Sequence, residues 1–189
     1  PDTGGAGYSG STRAFVFETS GGSYPVSFGL RAGTAGHSNF QIYSDYASGT
    51  DPSRDWAVAN ADVDQWHHIA IVYRPADARI DGYLDGNLTH QIPLAAPLKP
   101  NYAGFHFGTY RNADDRWFKG QIDEAALWQR ALSPSEVTAL FAAGVQGRTL
   151  AALSSQPGGD SFQTGLTAYY GFDNPTDWQV ANDAPAAGG

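Results

Sequence analysis

The chain of 189 residues contains no cysteine and no methionine, and only 16% of its residues are charged. Without cysteine it can form no disulfide framework and use no thiolate chemistry. No apolar run approaches the roughly 20 residues that a membrane-spanning helix needs, and no signal peptide is recognisable. Because the chain begins Pro1-Asp2 and lacks methionine, we expect a processed product or an excised fragment from which any targeting segment is already absent.

The charge balance is acidic, with a formal net charge of −8 and a sequence pI near 4.8. No run of lysine and arginine interrupts it. Such a surface repels phosphate backbones and anionic lipids, so we expect neither nucleic acid nor membrane insertion. The length suits one all-β domain with an extension.

Short segments with alternating apolar and polar residues recur along the chain, as one-sided β-strands require. The apolar positions that share a face are Phe15 and Phe17, then Val26, Phe28 and Leu30, then Phe40 and Ile42, then Phe105 and Phe107. Glycine, aspartate and asparagine separate these segments. The pattern predicts an all-β fold, a two-sheet antiparallel sandwich.

The middle of the chain carries the clearest local signals. Residues 66–73 and 80–84 predict two strands, and Asp85-Gly86-Asn87 predicts a tight turn. Residues 104–108 and 117–128 predict two further strands. These elements follow one another closely, as in a series of antiparallel strands.

A single short helix is predicted after the last of these strands. Ser133 is a candidate N-cap, Pro134 takes the first helical position, and Glu136 lies three residues after the cap. This arrangement is a capping box. Gly144 is the predicted stop.

Four motifs in this order, W-H-H-I-A-I-V-Y, Y-L-D-G-N, G-x-I-D-E and R-A-L-S-P-S-E-V, resemble the laminin-G-like, concanavalin A-like jelly-roll domain of bacterial extracellular proteins. The resemblance covers roughly residues 12–144. It implies two curved antiparallel sheets packed face to face, with one short helix after the last main strand. It also implies a secreted or cell-surface location and a partner that is a glycan or an extracellular protein.

The chain ends depart from that family pattern. Family members usually open with a strand of the type L-x-A-Y-Y-x-F-D, which here stands near the other end, at residues 166–173. We therefore expect a jelly-roll at residues 1–147, a linker at 148–164, and a segment at 165–189. That segment either completes the same sandwich beside the strand near Arg13, permuted or swapped, or starts a following repeat. Self-association through this strand, making the chain a structural subunit, is an alternative function.

Catalysis is not expected. Glycan-cleaving relatives of this fold use E-x-D-x-x-E, which places a nucleophile and an acid on one strand face. The comparable string here has Gln121 and Ala126 at the outer positions, and Asp123 and Glu124 are adjacent and diverge. We expect Asp123 to accept hydrogen bonds from a loop or helix end. A hydrolase or lyase of this fold is the remaining alternative.

Calcium is the expected cofactor, as a structural ion at the rim. Hard oxygen ligands suit it, and two acidic loops supply them. The candidate ligands are Asp114, Asp115, Asp173 and Asp183. Solvated carboxylates and Asx-turns are the alternative interpretation.

Glycan binding needs aromatic rings against the apolar sugar face, with polar groups beside them for the hydroxyls. The loop after the strand at residues 104–108 has this composition. The candidate ligand-binding residues are Tyr110, Arg111, Asn112, Asp114 and Trp117, together with Trp56. Packing beneath the loop is the alternative role for the aromatics. The sequence as a whole predicts a non-catalytic extracellular carbohydrate-binding or adhesion module.

Overall fold

The structure is a computed structural model that describes residues 14–20, 28–32, 40–44, 54–56, 65–94, 104–109, 118, 120–155 and 160–173. Its strands pair in antiparallel fashion. The chain divides into two compact units. The predicted all-β antiparallel class is confirmed.

The first unit contains a five-stranded sheet in the order β4-β3-β2-β1-β8. Its strands are β1 (Ala14–Ser20), β2 (Phe28–Ala32), β3 (Phe40–Ser44), β4 (Arg54–Trp56) and β8 (Gly104–Phe107). The register between β1 and β2 shifts between Phe15 and Phe17, so Val16 is the extra residue of a β-bulge.

The second unit contains the other two sheets and the helices. A three-stranded sheet has the order β5-β6-β7, and β9 pairs with β10. The elements are β5 (Ile69–Arg74), β6 (Arg79–Leu84), β7 (Asn87–Pro93), β9 (Ala125–Trp128), α1 (Pro134–Val145), α2 (Leu150–Ser154), α3 (Asp160–Gln163) and β10 (Leu166–Tyr170). A short 3-10 helix, η1 (Pro75–Asp77), joins β5 to β6 and belongs to the first unit.

The turn between β6 and β7 is as predicted. Asp85 and Gly86 have φ angles of 50° and 76°, and two successive positive values are the mark of the type I′ hairpin turn. The Asn87 side chain closes it with a hydrogen bond of 2.9 Å to the Asp85 carbonyl.

The start of α1 is confirmed and its predicted end is wrong. Both halves of the capping box between Ser133 and Glu136 are present. The helix continues through Gly144 to Val145, and Gly147 takes the left-handed position with φ 66°. The Gly147 N–H donates to the Gly144 carbonyl over 2.9 Å and the Arg148 N–H donates to the Ala143 carbonyl over 2.9 Å. This is a Schellman motif, which needs a glycine at Gly147 and not at Gly144.

The core of the second unit consists of two clusters. One joins Val72 and Tyr83 of the three-stranded sheet to Leu132 and to Val137 of α1. The other comprises Leu150, Phe162 and Tyr169, with several partly buried residues around them. Trp128 packs against both clusters.

Three strand and helix predictions need correction. The strand expected over residues 117–128 is only Ala125–Trp128, because Glu124 has a φ of 51° that ends the extended conformation. The strand expected from residue 66 begins at Ile69. Two short helices, α2 and α3, follow α1, whereas one helix was expected.

The strand of the displaced family motif, β10, pairs with β9 of the same chain. The expected neighbour was the strand near Arg13. That strand, β1, has β2 on one side and β8 on the other. The expected pairing is therefore wrong.

Candidate functional site

The predicted glycan-binding loop, residues 109–117, is flanked by Gly108 and Phe118, which are hydrogen-bonded to each other. The Phe118 N–H donates to the Gly108 carbonyl over 2.8 Å, and the Gly108 N–H donates to the Val16 carbonyl over 2.8 Å. Val16 is the bulged residue of β1, and Gly108 has a φ of 72° that favours glycine. Gly108 and Phe118, which flank residues 109–117, are thus fixed against the sheet.

The backbone of Trp56 lies at the same end of this sheet. The register there runs from Trp56 through Phe40 and Ala32 to Ala14. Because β8 is antiparallel to β1, β8 also ends there. Three strands separate β4 from β8, so their backbones are about 19 Å apart at the usual strand spacing.

Most of the predicted ligand-binding residues lie outside the described residues. They are Tyr110, Arg111, Asn112, Asp114 and Trp117. For Trp56 the structure gives the backbone alone. That these side chains meet at one surface stays a prediction.

Of the predicted calcium ligands, Asp173 alone falls within the described residues, and Asp114, Asp115 and Asp183 lie outside them. Asp173 follows β10 and is exposed. One of its carboxylate oxygens lies 3.0 Å from the position that a Cβ on Gly171 would take. The part of the chain that the structure describes brings no three acidic, histidine or cysteine side chains together, so the ligand set is untested.

Glu124 has the role that the sequence suggested for its neighbour Asp123. Its carboxylate accepts hydrogen bonds from the Tyr169 hydroxyl at 2.7 and 2.8 Å, and from the Leu150 N–H at 3.0 Å. Leu150 is the first residue of α2, so Glu124 joins β10 to a helix start. Asp123 accepts a 3.0 Å hydrogen bond from the Glu124 N–H.

The three-stranded sheet contains a buried charge network that the sequence pattern does not indicate. Asp81 is 1% exposed and accepts hydrogen bonds from Arg74, Arg79 and Gln91. Burial alone would raise the pKa of Asp81, but the bonds from Arg74, Gln91 and Arg79 outweigh it and lower the pKa. Arg74 also donates to the Leu132 carbonyl over 3.0 Å. This network holds the sheet to the segment before α1 and is structural.

The two adjacent histidines share one carboxylate. His67 Nδ1 lies 2.9 Å from Asp85 Oδ2, and the His68 N–H donates to Asp85 Oδ1 over 2.9 Å. Asp85 occupies the first position of the hairpin turn, so the turn and the beginning of β5 are tied together.

The chain belongs to the concanavalin A-like lectin and glucanase superfamily. The laminin-G-type family model of that superfamily matches residues 6–138. No curated protein matches the sequence. No helix within the described residues is both long and apolar enough to cross a membrane.

Two solved structures are similar to this chain. One is a candidate carbohydrate-binding protein from Bacteroides ovatus, with a TM-score of 0.60 and 18% identity over 92% of this chain and 45% of that protein. The other is residues 221–444 of an S-layer domain-containing protein from Clostridium thermocellum, with a TM-score of 0.33 and 15% identity over 68% of this chain and 63% of that one. The chain spans less than half of the Bacteroides protein. At 18% identity, the likeness to the Bacteroides protein shows the fold alone.

Proposed function

We propose that the chain is a non-catalytic carbohydrate-binding module that acts outside the cell. Its binding surface lies at the end of the five-stranded sheet where residues 109–117 leave β8 and where β4 ends at Trp56. Tyr110 and Trp117 stack on the sugar, and Arg111, Asn112 and Asp114 bind its hydroxyls.

The fixed base of the loop carries this proposal. The Gly108–Phe118 hydrogen bond closes the loop at its base, and the hydrogen bond between Gly108 and the bulged Val16 attaches that base to β1. Such preorganisation lowers the entropy that binding costs. The loop combines two aromatic residues and two arginines with two aspartates and one asparagine, as sugar recognition requires.

The superfamily includes both lectins and glucanases. For this chain we propose binding of a glycan and not its cleavage. The Bacteroides ovatus protein of similar fold is itself a candidate carbohydrate binder. Gln121 and Ala126 stand where the glycanase motif has its outer carboxylates. Glu124 is engaged by Tyr169 and Leu150. A structural calcium bound by one of the two acidic loops belongs to the same proposal.

A glycan array probed with the purified chain tests it, in calcium and in chelator. Trp117→Ala and Trp56→Ala should each weaken binding at least tenfold, as loss of a stacking ring does, and chelator should weaken it further. Trp66→Ala is the matched control, because Trp66 is 63% exposed and is not assigned to the site. Its binding should equal that of the parent.

Three results would contradict parts of this proposal. Binding that survives both site variants and falls in Trp66→Ala would place the site elsewhere. Binding and melting temperature that are equal in calcium and chelator would remove the ion from the proposal. Release of reducing ends from a glycan, lost in Asp123→Asn, would show that the chain is an enzyme.

A further inference from the structure

The tip of the β6–β7 hairpin rests on helix α1. The Thr138 hydroxyl donates to the Gly86 carbonyl over 3.0 Å. A Cβ on Gly86 would lie 3.0 Å from Phe141 Cδ1, so the turn backbone is in close contact with that ring. The His68 ring packs beside the same phenylalanine, with centroids 6.2 Å apart. Phe141 is therefore covered by the turn and by the histidine together.

His68 is also bonded to the turn through its backbone. Its N–H donates to Asp85 Oδ1 over 2.9 Å, and its carbonyl accepts the Asp85 N–H over 2.8 Å. The second carboxylate oxygen of Asp85 faces His67 Nδ1 at 2.9 Å. The His68 backbone is therefore held to the turn, and the His68 ring and the turn pack on the same phenylalanine.

The His68 ring has a buried nitrogen without a partner. Its Nδ1 is inaccessible to solvent and has no hydrogen-bond partner among the described residues. An imidazolium carries a proton on both ring nitrogens, so the cation would place an unpaired N–H at this position. An unpaired buried donor costs about 1–3 kcal/mol, and more when it is charged.

Within the described residues, Asp85 is the charged group that acts on this ring. From the turn, Asp85 contributes a carboxylate whose oxygens already accept from the His68 backbone and contact the neighbouring His67 ring. From α1, the groups that contact the tip are the Phe141 ring and the Thr138 hydroxyl, both neutral. The geometry thus favours the neutral ring.

We propose that His68 is an acid-sensitive latch between the β6–β7 turn and helix α1. Protonation of the ring expels it from its contact with Phe141, and the turn separates from the helix. Mild acid then exposes Phe141 and the Gly86 backbone while the rest of the sheet keeps its pairing.

The direction of the titration agrees with the latch. Burial lowers the pKa of His68 below the usual 6.5, and the Asp85 charge offsets only part of this effect. The unfolded or opened chain therefore binds the proton more readily than the closed one. The closed state is fully favoured above about pH 6.5 and loses stability as the pH falls from there to the lowered pKa.

Amide hydrogen exchange across the hairpin tip, measured at several pH values and expressed as protection factors, tests the latch. Between about pH 7.5 and pH 5, protection at Gly86 and Asn87 should fall at least tenfold more than protection in the centre of β6. His68→Gln, which cannot take up a proton, should abolish this difference. His106→Gln, a histidine of the other unit, is the matched control and should retain it.

A second measurement keeps the test decisive if His68→Gln fails to fold. The ring signals of His68 in the unaltered chain, followed by NMR, should titrate below 6.5 and together with the Phe141 ring signals. A His68 ring that titrates at or above 6.5 would overturn the latch. Equal loss of protection in His68→Gln and in the parent would overturn it as well.

Discussion

Replacing Glu136 with glutamine separates the charge of the α1 capping box from its shape. The Glu136 carboxylate accepts hydrogen bonds from two nitrogens of Arg130, at 2.7 and 3.0 Å, and from the Ser133 N–H at 2.8 Å. Glutamine at this position still completes a capping box. The substitution therefore removes the charge and half of the paired contact with Arg130, and leaves the cap.

The size of the effect follows from the titration of the carboxyl. The paired bonds from Arg130, opposed in part by burial and helped by Ser133, lower the pKa of Glu136 from 4.5 to about 2. That difference corresponds to about 3 kcal/mol of native stability, in a side chain that is 16% exposed. We expect Glu136→Gln to lose about 2 kcal/mol at pH 7, because the amide oxygen still accepts from Ser133.

The pH dependence provides the sharper check. A carboxyl with a lowered pKa contributes its full stability above about pH 4.5 and loses it as the pH falls toward 2. The urea unfolding curves of parent and Glu136→Gln should therefore differ at pH 7 and converge near pH 2. Asp123→Asn, an exposed carboxylate changed to its amide, is the control. A difference between parent and Glu136→Gln that is the same at pH 3 and pH 7 would refute the reasoning.

Two further substitutions are expected to change stability in opposite directions. Gly144→Ala should stabilise the chain by about 0.5–1 kcal/mol, because a Cβ at this helical position meets nothing within 4 Å. Thermal unfolding measures the change in stability, and a lower melting temperature would contradict a helix that continues to Val145. Asp81→Ala should cost about 3–5 kcal/mol, because it leaves Arg74, whose side chain is only 17% exposed, without its carboxylate. A cost below about 1 kcal/mol in urea unfolding would show that the network contributes little.

The features predicted correctly from the sequence are those set by neighbours in the chain. The capping box needs only residues three apart, and the type I′ turn needs only Asp85 and Gly86. The wrong helix end at Gly144 also has a local origin. The rule asks for a glycine at the end of the helix, and both Gly144 and Gly147 satisfy it. Packing does not distinguish them, because a Cβ at either position meets nothing within 4 Å.

The features missed are those that join distant segments. Nothing near Glu124 in the sequence indicates that Tyr169 and Leu150 bond to it. The pattern there suggested a strand, and the left-handed φ of Glu124 interrupts it. In the same way, Asp81 looks like an ordinary strand aspartate until Arg74 and Gln91 are brought beside it. The candidate glycan site depends on the side chains of residues 110–117, which lie outside the described residues. The site therefore stays a prediction, and the structure describes only the base of its loop.

The C-terminal segment shows how a local motif and a distant contact combine. Trp128 donates to the Phe162 carbonyl over 2.8 Å, and the Gln129 N–H donates to the Gly165 carbonyl over 2.8 Å. Arg130, the next residue, donates to the Thr164 carbonyl over 2.7 Å while it binds Glu136 of the capping box. Three consecutive residues, the last of β9 and the two that follow it, thus hold α3 and the start of β10. Because the glutamate that caps α1 also fixes Arg130, the helix start and the attachment of this segment depend on the same ion pair.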